Sequence, residues 1–260
     1  MRITTVQHDI VFEDRDATLA HLEPLVADAA AGTPDLLLLT EMFATGFSMR
    51  THLTAEPEDG PTMRWLHAQA RAHDVLIAGS LPLLPEDGSD QALPTNTLVA
   101  VGPEGLLARY DKIHPFSYAG EHERFGAGRE PISIEVAGAR VGLSVCYDLR
   151  FADLYWDRDP AVDVEVVVAN WPAARRHHWR ALLDARAIEN QCFVVGVNRV
   201  GSGGGLEYAG DSRIIDALGE VVASAAGQEV VLSAEVDPAA VASVRETFPF
   251  RADRRVRRFA

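Results

Sequence analysis

The order of apolar and polar positions divides the chain into a series of elements that occurs twice. Alternation in "RITTVQHD" (2–9) predicts a strand. "DATLAHLEPLVADAAAG" then places Leu19, Leu22, Leu25 and Val26 at helical spacing, with an acidic start at Asp16 and a stop at Gly32. "DLLLLTEM" (35–42) is a continuous apolar run, the pattern of a strand covered on both faces. A second amphipathic helix over "GPTMRWLHAQARAHD" leads to strands at "VLIAGSLPLL" and "NTLVAVGPEGLLARY", the latter bent at its Gly-Pro turn. After the strand "GARVGLSVC" the order returns. "VDVEVVVANWP" reads as a buried strand and "RRHHWRALLDARAIENQ" as a long helix, with strands at "CFVVGVNRV" and "DSRIIDALGEVVAS". A doubled strand–helix–strand–hairpin unit predicts two layered sheets with helices outside, an α/β sandwich in a single domain over 1–260. "GSGGGLE" (201–207) reads as a flexible loop. "RADRRVRRFA" reads as a short basic C-terminal tail, solvated or docked on a subunit.

Composition narrows the classes of function. At 260 residues, with 47% hydrophobic and 24% charged positions, the chain is ordinary globular material. A net charge of -14 argues against nucleic acid and anionic membrane as partners, since both need a basic surface. No segment approaches the ~20 apolar residues of a membrane span. Two cysteines, Cys146 and Cys192, are too few for a disulfide framework and point to a reducing compartment, the cytoplasm. No Gly-rich loop opens a helix to hold a phosphate. His177 and His178 are adjacent, so on a helix they diverge and cannot share a metal. No metal or cofactor is expected.

Candidate chemistry collects where the strands end, the place where open α/β sheets bind ligands. Glu41 follows "DLLLLT", Lys112 follows "GLLARYD", Cys146 closes "VGLSV", and Asn170-Trp171 close "VEVVVA". Each residue alone has a plain structural reading: a packed thiol, a capping carboxylate, a surface lysine. Together they form a nucleophile, a base and a cation. Cys146 stands out because polar Tyr147 and Asp148 follow it at once, whereas Cys192 opens the apolar "CFVVGV" and reads as packing. His114 suggests a Cys–His hydrolase less well, because Pro115 breaks its strand.

"LLLLTEMFATGFS", "YDKIHPF" and "GLSVCYDLRF", in that order, resemble the nitrilase, or carbon-nitrogen hydrolase, superfamily. The resemblance runs from "TTVQHDI" to "VRETFPF" and implies a four-layer αββα sandwich with a Glu41–Lys112–Cys146 triad. It also implies a further glutamate after the lysine, matched by Glu121 in "GEHERF". On that reading, Lys112 and the backbone N–H of Tyr147 hold the oxyanion. "SYAGEHERFGAG", "CYDLRF" and "ANWPAARRHHWRALLDARAIENQ" resemble the omega-amidase branch, which hydrolyses the terminal amide of 2-oxoglutaramate and 2-oxosuccinamate. Ala152 stands where family members often have proline. The alternative within the superfamily is a nitrilase, N-carbamoyl amidase or beta-ureidopropionase; the alternative outside enzymes is a non-catalytic interaction protein. For a short 2-oxo acid amide, Phe43, Phe47 and Trp171 are expected to wall the slot. Arg150, Arg175 or Arg176 would take the distal carboxylate, for which a guanidinium fork is best suited. Family members pair through helices beside the nucleophile's strand. Tyr155, Trp156 and Trp179 are the aromatics expected at such a homodimer contact.

Overall fold

The computed structural model describes residues 1–85, 92–156, 158 and 161–255. The first half contains β1 (Arg2–Gln7), α1 (Arg15–Ala31), β2 (Leu36–Leu38), a short α2 (Thr51–Thr54), α3 (Pro61–His73), β3 (Ile77–Leu83), β4 (Thr95–Gly102) and β5 (Gly105–Asp111). The second contains β6 (Ser133–Val136), β7 (Ala139–Val145), α4 (Ala152–Trp156), β8 (Val164–Ala169), α5 (Arg176–Asn190), β9 (Phe193–Asn198), β10 (Val200–Gly203), β11 (Leu206–Ile215) and β12 (Val221–Ala226). The chain then returns through β13 (Val230–Glu235) and α6 (Pro238–Thr247).

The internal repeat is present in five strands of each sheet. β1, β2 and β3 run parallel and are followed by antiparallel β4 and β5. β7, β8 and β9 run parallel and are followed by antiparallel β11 and β12. β13 closes the first sheet by pairing antiparallel with β1, so the chain's end is sewn to its beginning.

Alternation sorts the side chains into layers. On β2, Leu36 and Leu38 join β7, β8 and β9 valines in the core between the sheets, while Leu37, and Leu39 just beyond the strand, pack with α1 and α3. On the other side Val167, Val194 and Ile215 pack against Trp179, Leu183 and Ala187 of α5. Two apolar faces per sheet explain why these strands read as unbroken hydrophobic runs. The expected αββα order is therefore the one observed.

Three local expectations differ. α1 is capped by Asp14, whose side chain accepts from Ala17 N at 3.0 Å, so the helix begins before Asp16. "GSGGGLE" is no flexible loop. It is the β10–β11 hairpin, with Gly204 and Gly205 at left-handed φ values of 60° and 79° in its turn. The basic C-terminus docks within the chain. Arg254 Nη2 donates to Glu189 O at 2.6 Å and Arg245 Nη2 to Asn190 O at 3.3 Å, placing positive charge on the carbonyls that end α5. Residues 256–260 of that tail lie outside the described residues. No helix among the described residues is long and apolar enough to cross a membrane.

Candidate active site

Beyond β2 the chain stays beside β3, with Leu39 N on Ala78 O at 2.7 Å and Phe43 N on Ser80 O at 3.1 Å. Met42 turns left-handed there, at φ 40°. Glu41, just before that turn, is wholly buried. Lys112 follows β5 and is equally buried. Its Nζ lies 3.0 Å from Glu41 Oε1, and 3.0 and 2.8 Å from the two oxygens of Glu121. The two carboxylates share a second donor. Asn96 Nδ2 on β4 reaches Glu41 Oε1 at 2.8 Å and Glu121 Oε1 at 3.1 Å. Ser80 donates to Asn96 Oδ1 at 2.8 Å, which fixes the amide with its nitrogen toward the carboxylates. Asn170 N donates to Glu41 Oε2 at 2.8 Å, and Phe116 N to Glu121 Oε2. Both carboxylates thus have donors on each oxygen, which a buried ion cluster requires.

Cys146 follows β7 at a left-handed φ of 47°, at the head of the 3-10 turn Cys146–Arg150. The turn is braced by Asp148, whose carboxylate accepts from Val145 N at 3.0 Å, His114 N at 3.0 Å, His114 Nδ1 at 2.8 Å and Tyr110 Oη at 2.7 Å. One buried acid therefore ties the cysteine's turn to the lysine's loop. His114 faces this brace and stacks on Phe151; it has a structural place, as its sequence context suggests.

Burial raises the Cys146 thiol well above its ordinary pKa, helped by the Glu41 charge and a hydrogen bond to Glu41, with Lys112 opposing. Burial alone would lower the Lys112 ammonium, but Glu121 and Glu41 outweigh it and hold the group firmly charged. The site therefore disfavours a free thiolate at Cys146 and favours the charged form of Lys112.

The pocket at this cluster has a volume of about 190 Å³, below the ~300–1,000 Å³ usual for drug-sized ligands. Glu41, Lys112, Cys146 and Tyr147 line it, as do Phe47, Arg150, Trp171 and Arg175. Glu121 lies behind Lys112. Phe43 does not take part: it is buried in the layer between the first sheet and its helices, 6.0 Å from the Trp65 ring. Arg176 is also elsewhere, paired with Asp211. Asn170, one of the strand-end candidates, also lines it; Phe116 and Tyr208 are lining residues that the sequence reading did not assign, as are Gly204 and Leu206 from the hairpin read as a loop. Arg150 lies 4.8 Å over Trp171 and 5.9 Å from the Tyr147 ring; Arg175 lies 5.5 Å over Phe116. Among the described residues neither guanidinium has a carboxylate partner, and none of the acid, cysteine and histidine side chains groups as a metal site.

A family model described as carbon-nitrogen hydrolase matches residues 2–246. The chain belongs to the carbon-nitrogen hydrolase family. Within it, the chain is 42% identical over 252 residues to the omega-amidase YafV of Escherichia coli K12, covering 96% of this chain and 94% of that protein. It is 34% identical to the 2-oxoglutaramate amidase of Bacillus subtilis 168, covering 95% of each. Among solved structures, XC1258 of Xanthomonas campestris superposes with a TM-score of 0.91 at 39% identity, over 100% of this chain and 99% of that one. It is described as a carbon-nitrogen hydrolase superfamily protein with an arsenic adduct in its active site. This carbon-nitrogen hydrolase is therefore an amide-directed enzyme by descent, and its fold is that of the superfamily.

Proposed function

We propose that this hydrolase releases ammonia from the terminal amide of short 2-oxo acid amides, 2-oxoglutaramate and 2-oxosuccinamate, through a thioester on Cys146. The carrying observation is one small pocket lined by both Cys146 and the buried Glu41 and by two guanidiniums that have no carboxylate partner among the described residues. An anionic substrate supplies the missing partner. The omega-amidase and 2-oxoglutaramate amidase names of its relatives support the same reading.

The proposed roles are consistent with this geometry. Glu41 accepts the Cys146 proton as sulfur attacks the amide carbon, so no free thiolate has to be stored in a site that disfavours it. Lys112 and the Tyr147 N–H hold the oxyanion. Removing one such donor typically costs roughly 10²–10³ in rate. The C–N bond breaks as Glu41 returns its proton to the departing ammonia; Glu41 then takes a proton from the water that cleaves the C–S bond. Glu121 fixes Lys112. Arg150 and Arg175 face the substrate carboxylate, and Phe47 and Trp171 wall the chain between. Glutamine's ammonium would meet those same cations and apolar walls, an unfavourable burial.

The chain 1–260 acts as one hydrolase unit in the reducing cytoplasm, which keeps the thiol usable. A homodimer through the α4–α5 side is part of the proposal. Its support is narrower than the sequence suggests, because Tyr155 and Trp179 are buried in the protomer while Trp156 is 40% and Ile188 55% exposed. Light scattering should give twice the chain mass at micromolar concentration; a monomer mass overturns this assembly. The substrate reading is tested by ammonia release across 2-oxo acid amides, glutamine, asparagine, nitriles and N-carbamoyl amino acids. 2-Oxoglutaramate or 2-oxosuccinamate should give the highest kcat/KM. A higher value for a nitrile or a carbamoyl amino acid transfers the enzyme to another branch of its family.

A further inference from the structure

Asp211 occupies an expensive position. It lies in a bulge of β11 between Gly210 and Ser212, at a left-handed φ of 60°, a conformation that costs a non-glycine residue free energy. Its carboxylate is 3% exposed beneath two guanidiniums that are 45% and 38% exposed. Arg176 Nε and Nη2 grip it at 2.8 and 2.9 Å, and Arg180 Nη2 binds Oδ1. The Asp211 carbonyl takes Trp179 Nε1 at 2.8 Å. Burial alone would raise this carboxyl's pKa; the hydrogen bonds from Arg176 and Arg180 outweigh it and hold it below the usual range.

All three partners lie in the first turns of α5, and that helix start bears on the pocket. Arg175 is the residue immediately before α5, and its carbonyl accepts Trp171 Nε1 at 2.8 Å. Trp171 in turn carries Arg150 over its ring. Its backbone is held from the same side of the sheet: Asn198 Oδ1 accepts Trp171 N at 2.7 Å, and Asn198 Nδ2 reaches Trp171 O at 3.0 Å and Gly210 O at 2.8 Å. The bulge thus fixes both ends of the segment that bears the pocket's tryptophan and Arg175, one of its two arginines without a carboxylate partner among the described residues.

We propose that Asp211 is a positioning residue for substrate recognition: by clamping Arg176 and Arg180 it sets the helix start from which Arg175 meets the substrate carboxylate. This rests on the reading of the pocket as one for an anionic amide. Its test separates charge from backbone, because asparagine tolerates a left-handed φ well. Asp211→Asn should raise KM for 2-oxoglutaramate about tenfold, with kcat within about twofold of the parent, as expected when a distant group misplaces a binding residue. Combined with Arg175→Ala, the same substitution should add almost nothing to the KM increase of Arg175→Ala alone. Additive effects, a loss confined to kcat, or an unchanged KM overturns the assignment. If Asp211→Asn does not fold, the paired variant Arg176→Gln/Arg180→Gln removes the same clamp from exposed positions and must give the same non-additive pattern. If the parent enzyme prefers another carboxylate-bearing amide, the substrate reading falls, and the cycle run on that amide still decides the role of Asp211.

Discussion

The second sheet has a cysteine and a buried carboxylate–cation cluster at each end, and the two ends are built differently. At one end Cys146 meets Glu41, Lys112 and Glu121, where both carboxylates have donors on each oxygen. At the other, Cys192 lies within electrostatic reach of Glu165, whose oxygen Oε1 lies 3.0 Å from Arg158 Nε while Oε2 has no hydrogen-bond partner among the described residues. Arg158 spends its other nitrogens on Ile132 O and Leu143 O at 2.8 and 2.6 Å. The pair lies over Gly142, where a Cβ would come within 2.4 Å of Glu165 Oε2. Burial raises both thiols. The difference is the neighbour. Around Cys146 every carboxylate oxygen has a donor, whereas at the other end burial pushes the half-bonded Glu165 up to about 7.

The strongest break of this comparison is removal of the first cluster's parts. Cys146→Ala, Glu41→Gln and Lys112→Ala should each lower kcat by about 10⁴ or more, and a double variant should be little worse than a single one, as for residues acting as a unit. Iodoacetamide should label Cys146 in the folded enzyme and leave Cys192 unmodified. Near-normal turnover by folded Lys112→Ala, or labelling of Cys192 first in peptide maps, contradicts the assignment.

A smaller effect sharpens the other end. Glu165 titrates near 7 when folded against 4.5 ordinarily. Between those values the folded protein keeps a proton that the unfolded chain releases. Stability should therefore fall as pH rises from about 4.5 to about 7 and then level off, by an amount of order 3 kcal/mol. Glu165→Gln should flatten that slope in chemical denaturation at a series of pH values. An unchanged slope would place the titration on another group.

Much of this was readable from the sequence because it rests on periodicity. The repeat, the apolar central strands and the strand-end position of Glu41, Lys112 and Cys146 all follow from which faces are covered. Phe43 was misread because the left-handed step at Met42 redirects the chain, so Phe43 packs among core residues while Phe47, beyond Gly46 at φ 74°, returns to the pocket. Trp179 and Tyr155 were misread because an amphipathic pattern does not say which aromatic faces the sheet. Asn96 and Ser80 carried a usable signal, as polar side chains inside apolar strands; buried groups of that kind need partners, and here Ser80 bonds Asn96, which in turn bonds Glu41 and Glu121. Asp211 gave no such signal, since a bulge depends on a register that one strand alone does not contain.

Glu41 and Lys112 extend from strands of the first sheet, Cys146 and Asn170 from strands of the second. The thiol and its proposed base are therefore neighbours only across the seam. A chain with both sheets formed but not docked would hold every required side chain and hydrolyse nothing, so ammonia release should report the docking of the two sheets rather than the formation of either.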